Sequence, residues 1–355
     1  MSGSPATIDG LATPFATAIE QAARVLRQAR RVLVTGLADA PLEAIAAACD
    51  LAESLGAAID AAAPEIASPA GPILPRAGGV TADLEELRDR ADLVIAWFCD
   101  GPAVAAAFTA TAVGTASGRS PRLLVVGPEP LPGWEHVPLD SETAVDAARV
   151  VHLLLVGHEP LGEPVAANCL PVADAIRAAT CVGFLTQPAA DPLGLPGWAL
   201  ARAVRFLTHE KPAFMVPLAP VFADRLDNAA GAVALLTWRY GAGGGIARAD
   251  RHGGNYRPAE CDAVRLIERG EVDAVVAVGR LPAGVEAAIA QRASDLRLVR
   301  LDCRAAEPPG AAGTCVHVRS CLPTGTVLGR DGREITVGNP TPATDSLAAI
   351  LAALH

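Results

Sequence analysis

Short β-branched runs alternate along this chain with Ala-rich stretches of helical length, and that alternation restricts the fold more than any single residue does. Strand candidates are Arg31 to Thr35, Leu93 to Trp97, Leu123 to Val126, Cys181 to Leu185, Ala213 to Val216, Ala274 to Val278 and Leu298 to Leu301. Helix candidates are Leu42 to Leu55, Thr81 to Arg90, Ala103 to Thr109, Ser141 to Leu155, Ala199 to Thr208, Pro258 to Arg269 and Gly284 to Ala293. Strands that are apolar throughout, not at every second position, must be covered on both faces. Helices between them supply that cover, so the pattern predicts a doubly wound α/β architecture around a mostly parallel sheet.

The pattern repeats itself. ADLVIAWFCDGPAVAAAF, from Ala91, and VDAVVAVGRLPAGVEAAI, from Val272, each run strand, proline, helix. Asp92 lies ten residues before Pro102 and Asp273 nine before Pro282. Each proline falls where a first helical turn tolerates it. Each unit continues into a further strand, RLLVVGPEP and LRLVRLDCR. The echo predicts two similar α/β lobes facing each other. The expected division is an N-terminal segment and first helix over 1–30, one lobe over 31–160, a second over 161–305, and a Gly/Pro-rich β segment with a final helix over 306–355.

A hydrophobic fraction of 51% and a mean hydropathy of +0.32 demand burial. The apolar stretch from Val150 to Gly157 is flanked or broken by Arg149 and His152, and no run reaches the ~18 residues of a membrane span. The surplus is therefore expected inside the fold and against partners. A formal net charge of −10 without a basic patch argues against nucleic acid. Lys211 is the only lysine among 29 basic residues. The opening MSGSPATIDGLATPF lacks the basic start and apolar core of a secretory signal. None of the eight cysteines forms a C-x-x-C pair, so they read as free thiols in a reducing, cytoplasmic setting.

Two loops invite a functional reading. After the first strand, Gly36 and Asp39 stand ahead of Pro41, with Asp39 as a candidate helix cap and the loop as a candidate anion site. It carries neither Gly-rich phosphate fingerprint. The segment YGAGGGIARADRHGGNY, Tyr240 to Tyr256, crowds glycines around Arg248, Arg251, His252 and Asn255. Glycine lets backbone approach a ligand, and Arg binds carboxylate or phosphate through two parallel bonds. Such a loop fits a bound carrier or a partner surface equally well. The seven histidines are dispersed without H-x-x-x-H spacing.

Several runs resemble the B subunit of formylmethanofuran dehydrogenase. They are VTGLADAPLEAIAAACDLAESLGAAID (from Val34), RADLVIAW (from Arg90), NAAGAVALLTWRYG (from Asn228) and NYRPAECDAVRLIERGEVDAVVAVG (from Asn255). The resemblance is collinear from about Arg31 to Pro342. It implies a molybdopterin-oxidoreductase fold with two related α/β lobes. It also brings contacts to a pterin or carrier into view, for which Gly36, Asp39, Arg239, Arg248, Arg251, His252 and Asn255 are the candidates.

Departures from the family pattern imply which chemistry is lost. Redox-active members carry an N-terminal cysteine cluster, whereas this chain has no cysteine before Cys49. They also carry Cys-His-Gly-Pro, which supplies the metal ligand; here Pro69, Ala70, Gly71 and Pro72 occupy that place. Proline ligates no metal. The resemblance therefore implies a non-catalytic subunit with no metal and no covalent cofactor. The fitting branch is the formyltransferase/hydrolase complex of methylotrophic bacteria. There the expected partners are the hydrolase-like A-type, the C-type and the formyltransferase D-type subunits, and a methanofuran-type carrier is shared among them. The alternatives are an active molybdo- or tungstopterin subunit and a stand-alone nucleotide-binding α/β enzyme.

Overall fold

The computed structural model describes residues 6–62, 78–82, 84–105, 120–160, 162–187, 194–218, 228–250, 252, 254–257, 260–302, 315–319, 324–328, 334–341 and 343–354. The chain begins with β1 (Ala6–Ile8), β2 (Leu11–Thr13), α1 (Phe15–Gln28), β3 (Val32–Thr35), a 3-10 turn at Leu37–Asp39, α2 (Leu42–Leu55) and β4 (Ala58–Ile59). It continues through α3 (Leu84–Arg90), β5 (Leu93–Trp97), β6 (Arg122–Gly127), β7 (Glu135–Pro138), α4 (Ala144–Val156), α5 (Ala166–Ala178), β8 (Val182–Thr186), α6 (Leu195–Leu207) and β9 (Ala213–Pro217). It ends with α7 (Ala229–Tyr240), α8 (Ala263–Glu268), β10 (Ala274–Val278), α9 (Ala283–Gln291), β11 (Arg297–Asp302), β12 (Cys315–Arg319), β13 (Thr324–Leu328), β14 (Glu334–Thr341) and α10 (Ala343–Leu354).

These elements form two compact units. Unit 1 joins residues 1–63 to 222–355, and unit 2 is 64–221. The larger sheet of unit 1 has strand order β2-β1-β12-β11-β10-β3-β4, and unit 2 has β7-β6-β5-β8-β9. Strands β12 to β4 of unit 1 and all five strands of unit 2 run parallel. Every residue of β5, β8 and β10 is buried. In unit 2, Leu93, Ile95, Trp97 and Phe184 enter one core while Val94, Ala96 and Leu185 enter another. Alternate residues of a strand point to opposite faces, so burial on both sides produces the continuous apolar runs.

The expected division at 160 and 305 does not match this partition. β3 and β4 lie in one sheet with β10, β11 and β12, whereas β5 to β9 form the other sheet. The C-terminal stretch is not separate either: β12 pairs with β11 in the larger sheet, and α10 packs on α1 and α2. Long-range parallel pairing overrode the local order of elements, from which sequence boundaries are read.

The repeat is nevertheless real, and it extends to individual hydrogen bonds. The Asp92 carboxylate accepts the backbone N–H groups of Thr180 and Cys181, just ahead of β8. Asp273 accepts those of Arg30 and Arg31, just ahead of β3. The Arg122 N–H donates to the Asp92 carbonyl as Arg297 does to Asp273, and Phe98 donates to Val126 as Gly279 does to Leu301. Arg177 reaches the Leu154 carbonyl of α4, and Arg27 the Ala353 carbonyl of α10. The units correspond with their chain order rotated. In unit 2, α4 runs on into α5; in unit 1 their counterparts, α10 and α1, lie at opposite ends of the chain.

Burial alone would push the Asp92 carboxyl up, but the Thr180 hydroxyl and the two N–H donors outweigh it and hold it below the usual range. At Asp273, burial is likewise outweighed by the Arg31 and Arg30 N–H groups and by the Arg297 and Arg30 charges. A depressed carboxyl contributes stability above its unfolded value of about 3.9 and loses it as pH falls through the folded value. Asp273→Asn is expected to cost about 2 kcal/mol at pH 7 and to flatten the loss of stability below about pH 4. Urea titrations from pH 3 to pH 7 measure both; an unaltered acid limb would assign it to other carboxylates.

Lys211 completes unit 2. Its Nζ donates to the Ile176, Arg177 and Ala179 carbonyls at 2.9, 3.0 and 2.7 Å. A cation there satisfies carbonyls left open at the C-terminus of α5 and opposes that helix's dipole.

Candidate functional site

The described residues of the Gly-rich segment pack within unit 1. α7 ends at Gly241, in the left-handed region with φ 80°. Ile246 then forms antiparallel bridges to Ile59 and Tyr256, extending the sheet beyond β4. The Ile59 N–H donates to Ile246 and the Ile246 N–H returns to Ile59, at 3.0 and 3.1 Å.

Asp60 sets the path of this loop. Its carboxylate accepts the Gly245 and Ala263 N–H groups, each at 3.0 Å. Burial pushes this carboxyl up while the N–H donors pull it down. A Cβ on Gly244 would lie 2.6 Å from Asp60 Oδ1, which explains one glycine of the run by close approach, not by ligand binding. Sequence reading missed this role because the two ends of the contact lie 185 residues apart.

The loop and the C-terminal turn of α2 frame an open cleft of about 760 Å³, with Leu351 of α10 at one side. Asp50, Glu53, Asp250, Arg248 and His252 line it. The Arg248 guanidinium lies over Gly56, its Nε 3.4 Å from where a Cβ would stand. The Asp250 carboxylate accepts the His252 N–H at 3.0 Å. Asp250 thus faces Arg248 and His252 at the opening, while Asp50 and Glu53 at the end of α2 are held by Arg239.

Arg239 belongs to the wall and not to the opening. It binds Glu53 at 2.6 Å and Asp50 at 2.5 Å, with 20% of its side chain exposed. The bond to Glu53 holds its proton more firmly than usual. The Tyr240 hydroxyl adds a 3.2 Å contact to Glu53, and burial raises its pKa. Among the candidates, Arg248 and His252 meet at the cleft, with Arg239 engaged in its wall. Asn255 serves the loop itself: its carbonyl accepts the Ala247 N–H and its side chain accepts Arg257 Nε. Arg251 and the positions Pro69, Ala70, Gly71 and Pro72 lie outside the described residues.

Gly36 and Asp39 lie elsewhere, at the end of β3. Gly36 has φ +83°, and a Cβ would meet Leu281 Cδ2 at 2.7 Å and the Val278 carbonyl oxygen at 2.9 Å. In doubly wound sheets ligands favour the crevice where strand order reverses. Here that point lies between β3 and β10, and Leu281 closes it against Gly36. Asp39 does not cap α2. It ends the 3-10 turn, and Pro41 occupies the cap position with no side-chain hydrogen bond.

Among the described residues no three His, Cys, Asp or Glu side chains converge. Cys99 stands at the matching reversal point of unit 2, where its thiol donates to the Leu185 carbonyl at 3.2 Å. Burial pushes that thiol up to about 12, and likewise pushes Cys49 and Cys169 up to about 11.

No protein-family model and no curated protein matches the sequence. Among solved structures, the chain is similar to one from the formyltransferase/hydrolase complex (FhcABCD) of Methylorubrum extorquens, determined with methylofuran. The TM-score is 0.75 at 24% identity, covering 98% of each chain. The two chains share a fold from end to end. Among the described residues no helix is long and apolar enough to cross a membrane.

Proposed function

We propose that this chain is the B-type subunit of a formyltransferase/hydrolase assembly and carries no reaction of its own. Proteins of A, C and D type would surround it, and the hydrolase-like and formyltransferase members would act on the formyl group. The observation that carries this reading is the fold shared over 98% of both chains with a member of such a complex. Pro69 and Ala70 support the non-catalytic part, because neither offers a metal ligand. The mean hydropathy of +0.32 suits a surface that is largely covered.

For the cleft at Arg248 and His252 we favour a protein partner over a glutamate-bearing carrier. Asp250 stands beside Arg248 and His252, and Asp50 and Glu53 are held by Arg239, so the opening carries no surplus of positive charge to draw a polyanion. If a carrier binds here, Arg248→Ala should weaken it at least tenfold.

Co-expression with A-, C- and D-type subunits, followed by affinity purification through this chain, tests the assembly. The expected result is a stable complex that releases formate from formylated carrier, with no release by the chain alone. A chain that elutes alone in the presence of all three sinks the reading.

A further inference from the structure

The two units differ at one sheet edge. In unit 1 the outermost parallel strand, β12, is covered by β1, which runs antiparallel to it with Ala6 opposite Val318, Thr7 opposite His317 and Ile8 opposite Val316. α1 packs against both strands. In unit 2, β7 occupies the place of β12. The matched Arg297 and Arg122 bonds fix the correspondence, and His136-Val137 then falls on His317-Val318. Among the described residues, no strand lies beyond β7.

Backbone geometry leaves one residue of this edge available. The Leu139 N–H turns inward to the Gly127 carbonyl. In a parallel pair alternate residues face the neighbouring strand, so Val137 and Glu135 also turn inward while His136 and Pro138 face out. Pro138 has no N–H, and its carbonyl accepts Asn168 Nδ2 at 2.8 Å. His136 presents both its N–H and its carbonyl outward. Its ring is held back by a 2.9 Å bond from Nε2 to the Gly127 carbonyl. Between this edge and α5 runs a groove of about 240 Å³, lined by Arg122, Glu135, His136, Pro138, Asn168 and Pro171. β1 lies in the counterpart of this groove in unit 1, where Ala6 is 1% exposed.

We propose that the β7 edge receives a short extended segment from another protein of the assembly, antiparallel to β7 as β1 is to β12. The inference rests on the assembly proposed above. The pairing centres on a two-bond exchange with the backbone of His136, the position matching Thr7 opposite His317. The limited volume selects small side chains such as Ala, Ser or Thr opposite Val137. Main-chain bonds would give the attachment and the narrow groove its selectivity.

The test uses the full chain co-expressed with the other subunits. His136→Pro removes the outward N–H without breaking a sheet bond, and His136→Ala keeps it while losing the ring. The expected result is at least a tenfold loss of partner capture for His136→Pro, near-normal capture for His136→Ala, and the same thermal unfolding for the two variants. Equal capture by both variants overturns the proposal, as does an equal loss in both. Should His136→Pro not fold, deuterium exchange at the His136 amide of the natural chain decides. Protection that appears only on assembly supports the proposal. Protection already present in the chain alone, from its own segment or a second copy, overturns it. Failure of the subunits to associate at all would instead overturn the assembly reading.

Discussion

Replacing Arg239 with Met is expected to cost about 3 kcal/mol of folding stability, since removing one partner of a buried pair strands the other. Glu53 is the group that loses its cation: its side chain is 7% exposed, with Arg239 at 2.6 Å and the Tyr240 hydroxyl at 3.2 Å. Asp50 suffers less, because 43% of its side chain reaches solvent. Glu53→Gln in the same chain should restore much of the loss, since a neutral amide tolerates that pocket where a lone carboxylate does not. Urea unfolding of the two single variants and the double variant measures this coupling. A loss below about 1 kcal/mol for Arg239→Met would return Arg239 to the list of ligand contacts.

Gly36→Ala should be about as damaging, near 3 kcal/mol. Left-handed backbone costs a residue with a Cβ about 1–2 kcal/mol. The added methyl also meets the Val278 carbonyl at 2.9 Å. That oxygen belongs to β10 and cannot yield without moving the sheet; Leu281 Cδ2, at 2.7 Å, can rotate only into a packed core. Overpacking of this kind costs about 1–3 kcal/mol. Were Gly36 instead a point where backbone approaches an anion, the variant would keep its stability and lose only binding. Denaturation curves separate the two readings.

The doubly wound fold was legible because both faces of its strands are buried, which leaves an unbroken apolar signature in β5, β8 and β10. α5 and β7 escaped sequence reading for local reasons. Pro171 stands inside α5, and β7 is four residues with Glu135 and Pro138 exposed. The interleaving of the units escaped for a different reason: no local property of β3 announces that its neighbour is β10. At the candidate site, the Gly-rich loop was visible as composition. Its role depends on Asp60 and on the carboxylates of α2, none of which is near it in sequence. Arg239 illustrates the hazard: its residue type suits a ligand, and only the fold shows that Asp50 and Glu53 already hold it.

The nested order of the units imposes a schedule on synthesis. Unit 2 has every strand of its sheet once β9 has been made, whereas β3 is followed by 238 residues before β10 begins. At ~5–20 residues per second that interval is roughly 12 to 48 seconds. Throughout it, β3 has β4 on one edge while the edge that β10 fills stays unpaired. The edge of β3 made before unit 2 is filled only after it, and during that wait a nascent chain of this design is most exposed to chaperones and to aggregation.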